Sequence, residues 1–138
     1  MPEKIKVALV GLGNCFSGLI QGIEYYSKNP SQKVTGIIHE NLRDYTIHDI
    51  DFVAGFDVGA NKIGKPINEA IYESPNMVNW IEKNDMPKAN GTVYESPALD
   101  GVGIWVENKV KPIESEKSES ELREEIIIQR FEARYIES

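Results

Sequence analysis

The sequence has little of what several whole classes of protein require. Its 138 residues include one cysteine, so no disulfide can form within the chain. Its 22 acidic side chains outnumber 15 basic ones, whereas a nucleic-acid surface needs clustered lysine and arginine. No apolar run approaches the ~20 residues that a membrane helix needs, and the start does not resemble a signal peptide. We therefore expect a cytoplasmic protein without a nucleic-acid partner or a membrane anchor.

The first part of the chain predicts a buried strand followed by an amphipathic helix. Residues 4–10 become continuously apolar, as is typical of a parallel strand covered on both faces. The segment Gly11-Leu12-Gly13-Asn14 ends this strand. A helical period follows, which predicts an inward face made of Phe16, Leu19, Ile20, Ile23 and Tyr26. The segment Asn29-Pro30-Ser31 then ends the helix.

The remaining signals predict more strands and helices of the same kind. Residues 51–57 and 92–95 read as a second and a third strand. Pro66 fits a helix start, and Ser118 with Glu121 forms a capping box that begins another helix. The inward residues of these two helices are predicted to be Ile67, Ala70 and Ile71, then Leu122, Ile126 and Ile127. Residues 130–138 fit either a strand or more helix, and the whole predicts an α/β fold with a parallel sheet.

The segment Gly11-x-Gly13 carries the strongest chemical signal. A glycine at 11 permits a tight turn, and a glycine at 13 removes the side chain that would block a pyrophosphate. The first amides of the following helix then face the anion, aided by the helix dipole. A third glycine is expected at 16, where Phe16 stands. We expect Ser17 and Gly18 to supply the close contact between helix and strand instead.

Asp57 ends the second predicted strand, where a carboxylate can accept both hydroxyls of an adenosine ribose. It would repel a 2′-phosphate and so favours NAD over NADP. The usual spacing is ~20 residues, whereas Asp57 follows Gly13 by 44 positions, which predicts an insertion at about 31–50. An ordinary solvent-facing aspartate is the alternative. Lys62 is a weaker candidate for contacting a 2′-phosphate.

Three other reactive side chains are interpreted as structural. Cys15 stands at the predicted helix start, where a thiolate is stabilised, but no base can be placed beside it. His39 and His48 are too far apart in sequence for a helical metal pair and have no nearby cysteine. We therefore assign no metal site and no catalytic residue.

Four segments together resemble one known family, the myo-inositol-1-phosphate synthases of archaea and bacteria. They occur in the family's order and span about residues 5–125: Val10–Cys15, Gln21–Tyr26, Asp49–Val58 and Ala98–Gly103. In that family NAD takes a hydride from carbon 5 of glucose 6-phosphate, an intramolecular aldol closes the ring, and NADH returns the hydride to give myo-inositol 1-phosphate. The resemblance implies a cofactor site for NAD formed by Gly11, Gly13, Asn14, Cys15, Asp57, Asp100 and Gly101.

The resemblance also implies that only part of a synthase is present. Family members are more than twice this length, and residues 126–138 do not match them. We therefore predict that 1–138 is a partial NAD-binding Rossmann-like domain, the N-terminal half of a dinucleotide-binding domain. Alone it is expected to be inactive and to engage glucose 6-phosphate only beside a catalytic domain. An open sheet edge predicts a homo-oligomer.

Two alternatives stay open from the residues alone. One is a stand-alone NAD-binding regulatory or interaction module that pairs with a partner chain. The other is the cofactor half of a different NAD-dependent dehydrogenase. Both would keep the same glycine loop and the same acidic residue at the end of the second strand.

Overall fold

The structure is a computed structural model that describes residues 3–29, 36–88, 91–99, 101, 104, 108–113 and 116–135. Its strands are β1 (Ile5–Val10), β2 (Ile50–Asp57) and β3 (Thr92–Glu95). Its helices are α1 (Asn14–Lys28), α2 (Ile67–Ala70) and α3 (Glu119–Tyr135). Short 3₁₀ turns cover Ile47–Asp49 and Lys83–Asp85.

The described strands form one parallel sheet in the order β1-β2-β3. Because parallel strands end at the same edge, the loops after all three strands meet there. Val10 pairs with Phe56 at the end of the ladder, and the amide of Gly11 continues it by donating to the carbonyl oxygen of Phe56 at 2.7 Å. The predicted parallel α/β sheet is confirmed.

An irregularity in β2 places Phe52 and Phe56 on opposite faces of the sheet, although residues four apart share a face in a regular strand. The pairing register shifts between Val7 and Ala8 of β1, so that Val53 has no partner in the ladder. Side chains alternate along a regular strand, and one extra residue reverses the alternation beyond it. As a result Phe52 packs on the α1 side of the sheet and Phe56 on the α3 side.

Two apolar clusters cover the two faces of the sheet. The α1-side cluster contains buried residues from the glycine loop, α1, α2, β1 and β3: Leu9, Leu12, Ile20, Ile67, Ala70, Ile71 and Val93. The α3-side cluster is smaller, with Ala54, Phe56 and Leu122 buried and Ile126 packed against them. The predicted inward residues of α2 are therefore confirmed, as are Leu122 and Ile126 of α3.

Two predictions about the helices need correction, and one open alternative is decided. Leu19 was expected to face inward but is 46% exposed, because the buried stripe of α1 runs through Ser17, Ile20 and Gln21. Ile127 is likewise exposed, at 51%, so α3 packs through a narrower face than its sequence suggests. The ambiguous last segment continues α3 as far as Tyr135.

The predicted insertion contains local structure, part of it at the turn-like residues 41–44. From residue 36 onward it contains a two-residue bridge between Leu42 and Tyr45. It ends in a 3₁₀ turn whose cap Thr46 exchanges hydrogen bonds with Asp49 and His48. These bonds, chiefly the one from the Thr46 amide, hold the pKa of Asp49 below its usual value.

Among the described helices, none is long and apolar enough to cross a membrane.

Candidate nucleotide-phosphate site

The glycine loop between β1 and α1 presents bare backbone at the edge where the strands end. Gly11 has a φ of 83°, a conformation that side chains with a β-carbon rarely adopt. Gly13 is the N-cap of α1, and no side chain caps this helix end by a hydrogen bond. A β-carbon added at Gly13 would meet no atom within 4 Å. The start of α1 is therefore open toward the solvent.

These features fit the linked phosphates of a dinucleotide. The first amides of an α-helix have no partner within the helix and carry the positive end of its dipole. Gly13, Asn14 and Cys15 are all exposed at this position. The space that a β-carbon at Gly13 would enter is the space through which a phosphate would approach. The site can bind an anion without a surface cation.

Asp57 lies beneath the loop. Its Oδ2 accepts a hydrogen bond from the Leu12 amide at 2.7 Å, and its Oδ1 accepts one from the Gly59 amide at 2.8 Å. The residue is only 7% exposed, so the solvent-facing alternative is wrong. A β-carbon at Gly59 would lie 3.1 Å from Oδ1, so this turn favours glycine. The ribose contact implied for Asp57 stays a prediction.

Lys62 also lies under the loop and is not a surface cation. It is 4% exposed, and its Nζ donates to the Leu12 carbonyl oxygen at 2.8 Å and to Oδ1 of Asn76 at 3.3 Å. The same Nζ lies 3.7 Å from Oδ2 of Asp57. Because the ammonium is buried and bonded inside the protein, Lys62 is badly placed for the weaker predicted role, contact with a 2′-phosphate.

The buried stripe of α1 binds the backbone of residues 71–81, which we call the 71–81 segment. The hydroxyl of Ser17 donates to the Ile71 carbonyl oxygen at 3.1 Å. The Gln21 amide group donates to Ser17 and to Val78, and its oxygen accepts from the amides of Trp80 and Ile81. These bonds hold the 71–81 segment along α1.

The polar side chain of Asn14 continues this arrangement at the loop itself. Its Oδ1 accepts a hydrogen bond from the Met77 amide at 2.7 Å, so Asn14 holds the middle of the 71–81 segment beside the candidate phosphate site. Asn76, one residue earlier, donates to the Leu12 carbonyl oxygen at 2.9 Å. The site is therefore bordered by the loop on one side and by this segment on the other.

The other predicted site residues have different outcomes. Cys15 is exposed and free at the start of α1. Gly101 lies in the loop after β3 with a φ of 76°, and Asp100 lies outside the described residues.

His39 is exposed, whereas Nδ1 of His48 lies 3.0 Å from the hydroxyl of Ser27 on α1. Phe16 packs half-buried against the α1-side cluster. Ser17 is buried and bonds the Ile71 carbonyl oxygen, and a β-carbon at Gly18 would meet Trp80, so the helix–strand contact expected of this pair stays a prediction.

Four residues support the candidate site in ways that the sequence did not predict. Gln21 and Asn76 were given no role, and Ser17 and Lys62 were given different ones. Ser17 and Gln21 had a detectable signal, since they are polar residues four apart that flank Ile20 on the inward side of an amphipathic helix. Lys62 and Asn76 had none, because their bonds to Leu12 join residues 50 and 64 positions apart.

The fold and the loop define a class of protein. A parallel sheet with a glycine loop between its first strand and first helix is the Rossmann-like arrangement of α/β proteins. No family model matches the chain. In the crystal structure of a myo-inositol-1-phosphate synthase-related protein from Thermotoga maritima, 86% of this chain superposes on 28% of that one, with a TM-score of 0.58 and 24% identity. That similarity concerns the fold alone.

Sequence relatives identify the family. The chain is 39% identical over 114 residues to the inositol-3-phosphate synthase of Mycolicibacterium smegmatis, which is 82% of this chain and 31% of the relative. It is 44% identical over 100 residues to that of Corynebacterium glutamicum, which is 72% of this chain and 27% of the relative. The chain therefore spans less than a third of the length of these relatives. Over the matched residues it belongs to the inositol-3-phosphate synthase family.

Proposed function

We propose that this chain binds NAD, with the pyrophosphate at the first amides of α1, as the cofactor-binding part of an inositol-phosphate synthase. The observation that carries the proposal is the open glycine loop. Gly13 leaves room over a helix end that no side chain caps. The family relationship supports NAD as the ligand, because the reaction of that family needs a hydride carrier.

Bound NAD would supply reversible hydride transfer within the conversion of glucose 6-phosphate to myo-inositol 1-phosphate. The residues of this chain would contribute binding and orientation. The helix amides would bind the phosphates, Gly11 and Gly13 would let the ligand approach the backbone, and Asn14 would keep the 71–81 segment at the side of the site. No proton-transfer group is assigned to this chain, so we predict that it forms no inositol phosphate from glucose 6-phosphate alone.

The variant Gly13→Val tests the phosphate site. Gly13 has a φ of −82° and a ψ of −167°, which valine adopts without strain, and its side chain would enter the open space over the helix end. We expect NAD affinity measured by calorimetry to fall by about a hundredfold or more, equivalent to about 2.7 kcal/mol. Because Gly13 is the N-cap of α1 and valine is a poorer N-cap than glycine, urea unfolding should show a loss of about 1 kcal/mol.

Gly22→Ala is the matched control. Gly22 lies inside α1, and a β-carbon there also meets no atom within 4 Å. Alanine should stabilise the helix by about 1 kcal/mol and leave NAD affinity unchanged. If Gly13→Val binds NAD as tightly as the unaltered chain does, the proposed site is wrong.

Cys15 provides an independent measurement on the unaltered chain. It is exposed at the helix start and is the one cysteine present, so alkylation reports on a single position. Bound NAD should slow its reaction with iodoacetamide, and ADP-ribose should have the same effect. Equal rates with and without nucleotide would contradict the placement of the pyrophosphate.

A further inference from the structure

The residue between the two glycines of the loop is held by side chains on both of its backbone groups. Asp57 accepts from the Leu12 amide, while Lys62 and Asn76 donate to the Leu12 carbonyl oxygen. The Leu12 side chain is itself fully buried, and its methyl groups lie against Gly55 of β2. The position of Leu12 is thus determined from three directions, although the glycines on either side of it are the residue type with the widest range of backbone conformations.

The bonds to the Leu12 carbonyl act directly on the proposed ligand contact. This carbonyl and the Gly13 amide belong to the same peptide group, and hydrogen bonds in a chain polarise one another. An ammonium bonded to the oxygen therefore makes the Gly13 N–H a stronger donor. Lys62 is 4% exposed. Its charge would therefore act on the anion through the polarised Leu12–Gly13 peptide group and not by direct contact.

The cost of burying these charges also points to a role in the site. Two ions removed from water lose several kcal/mol of hydration each, and an apolar pair of similar size is often as stable. Here the ions are satisfied by backbone groups of the loop and of the turn after β2, not by one another alone: Nζ of Lys62 lies 3.7 Å from the carboxylate. Their hydrogen bonds are directed to the loop.

We propose that Asp57 and Lys62 are positioning residues that clamp the Leu12 peptide groups and so preset the glycine loop for the phosphates of the dinucleotide. Asp57 then acts on the loop in place of selecting the ligand through its ribose hydroxyls. This inference rests on the proposed nucleotide site for its ligand, but the clamp itself exists without ligand and can be measured separately.

Amide hydrogen exchange tests the clamp in the free protein. In the unaltered chain the Leu12 amide should exchange at least about a hundredfold more slowly than the Asn14 amide at the open helix start, because opening a protected amide carries a free-energy cost. In Asp57→Asn the Leu12 amide should exchange about tenfold faster, while the core amides of Leu9 and Val93 keep their rates. A Leu12 amide that exchanges as fast as that of Asn14 in the unaltered chain overturns the proposal.

Nucleotide binding then distinguishes a clamp from direct recognition of the ribose. We expect Asp57→Asn to weaken binding of NAD and of an NAD analogue lacking both adenosine-ribose hydroxyls by the same factor, about tenfold or more. A loss confined to NAD identifies Asp57 as a ribose contact and overturns the proposal. If the unaltered chain binds neither ligand, the nucleotide site fails while the exchange result still decides the clamp.

Lys62→Met tests the carbonyl side, since methionine keeps most of the stem and removes the ammonium. It should weaken binding of both ligands, whereas Lys65→Met, which removes the same charge from the partly exposed pair with Glu73, should not. If Lys62→Met does not fold, the double variant Asp57→Asn/Lys62→Met removes both charges together and is measured in the same way. Unchanged affinity in whichever of these variants folds contradicts the clamp.

Discussion

The two faces of the sheet are built differently. On the α1 side, a large apolar cluster is combined with buried polar bonds from Ser17 and Gln21 to the 71–81 segment. On the α3 side, three buried residues and a few partly buried ones form an apolar contact. The polar bonds described there are partly or fully exposed: Lys117 joins Glu125 of α3 to Glu95 of β3, and Ser118 bonds Glu121 at the helix start. The glycine loop is continuous with the first face. The comparison indicates that the buried polar bonds of the described helices lie next to the candidate site.

The largest difference between the faces is expected in their packing. Ile67 is fully buried, and β-carbons added at Gly55 or Gly91 would lie within 3.4 Å or 2.6 Å of its side chain. Because a site this dense cannot collapse around a cavity, we expect Ile67→Ala to destabilise the protein by about 2–5 kcal/mol. Urea unfolding followed by circular dichroism would measure it.

The matched change on the other face is Leu122→Ala. Leu122 is 6% exposed and packs against only a few residues, so α3 can shift toward the sheet. We expect a loss at the low end of the same range, about 2 kcal/mol, and faster amide exchange confined to α3. A larger loss than that of Ile67→Ala would reverse the comparison.

The next effect concerns the polar bonds of the α1 side. In Gln21→Leu the amides of Trp80 and Ile81 and the carbonyl of Val78 lose their side-chain partner. Leaving such groups unpaired costs about 1–3 kcal/mol, and urea unfolding should show this loss. Asn68→Ala, which removes an exposed bond to the Pro87 carbonyl, should stay within about 0.5 kcal/mol. If Gln21→Leu lowers the free energy of unfolding as little as Asn68→Ala does, the 71–81 segment does not depend on Gln21.

A smaller effect is expected at the capping box of α3. The Ser118 hydroxyl bonds both the amide and the carboxylate of Glu121, so Ser118→Ala should cost about 1 kcal/mol. The loss should appear as lower helix content in the far-ultraviolet spectrum, without a change in NAD binding. Ser27→Ala, on the exposed side of α1, serves as the control and should leave helix content unchanged.

The smallest effect is the response of α3 to acid. The pKa of Glu121 lies below its ordinary 4.5, first because the Ser118 amide bonds the carboxylate and then because the Ser118 hydroxyl does. Because the pKa of Glu121 is lower in the folded state than in the unfolded state, its carboxylate stabilises the fold fully above pH 4.5. This stabilisation is lost as the pH falls through the folded-state pKa. Helix content should decline in that window, and Glu121→Gln should remove the decline. An identical acid profile in Glu121→Gln would contradict this.

Much of the fold could be predicted because its signals are local. The apolar run of β1, the glycines at 11 and 13, and the Ser118–Glu121 capping box each lie within a few residues of what they determine. The predicted inward faces of α1 and α3 were wrong at Leu19 and Ile127. Both residues satisfy the helical period, and only the actual neighbours of the helix decide how far its buried stripe extends.

The candidate site was less predictable for the same physical reason. Its open elements, Gly13 and the start of α1, follow from the chain order of strand, turn and helix. Its supporting elements depend on side chains that reach backbone groups 45 to 64 positions away. Such bonds have no periodicity or spacing rule, and a lysine at 62 has the same local pattern whether it is buried or exposed.

The unpaired residue Val53 in β2 has a consequence for how this protein tolerates change. A strand without a break transmits any slip in its pairing to its far end, where every side chain would turn to the opposite face. Here the extra residue Val53 lies between the start of the strand and Asp57 at its end. Removal of Val53 would restore the regular alternation of β2 and turn the Asp57 carboxylate away from the Leu12 amide that it bonds.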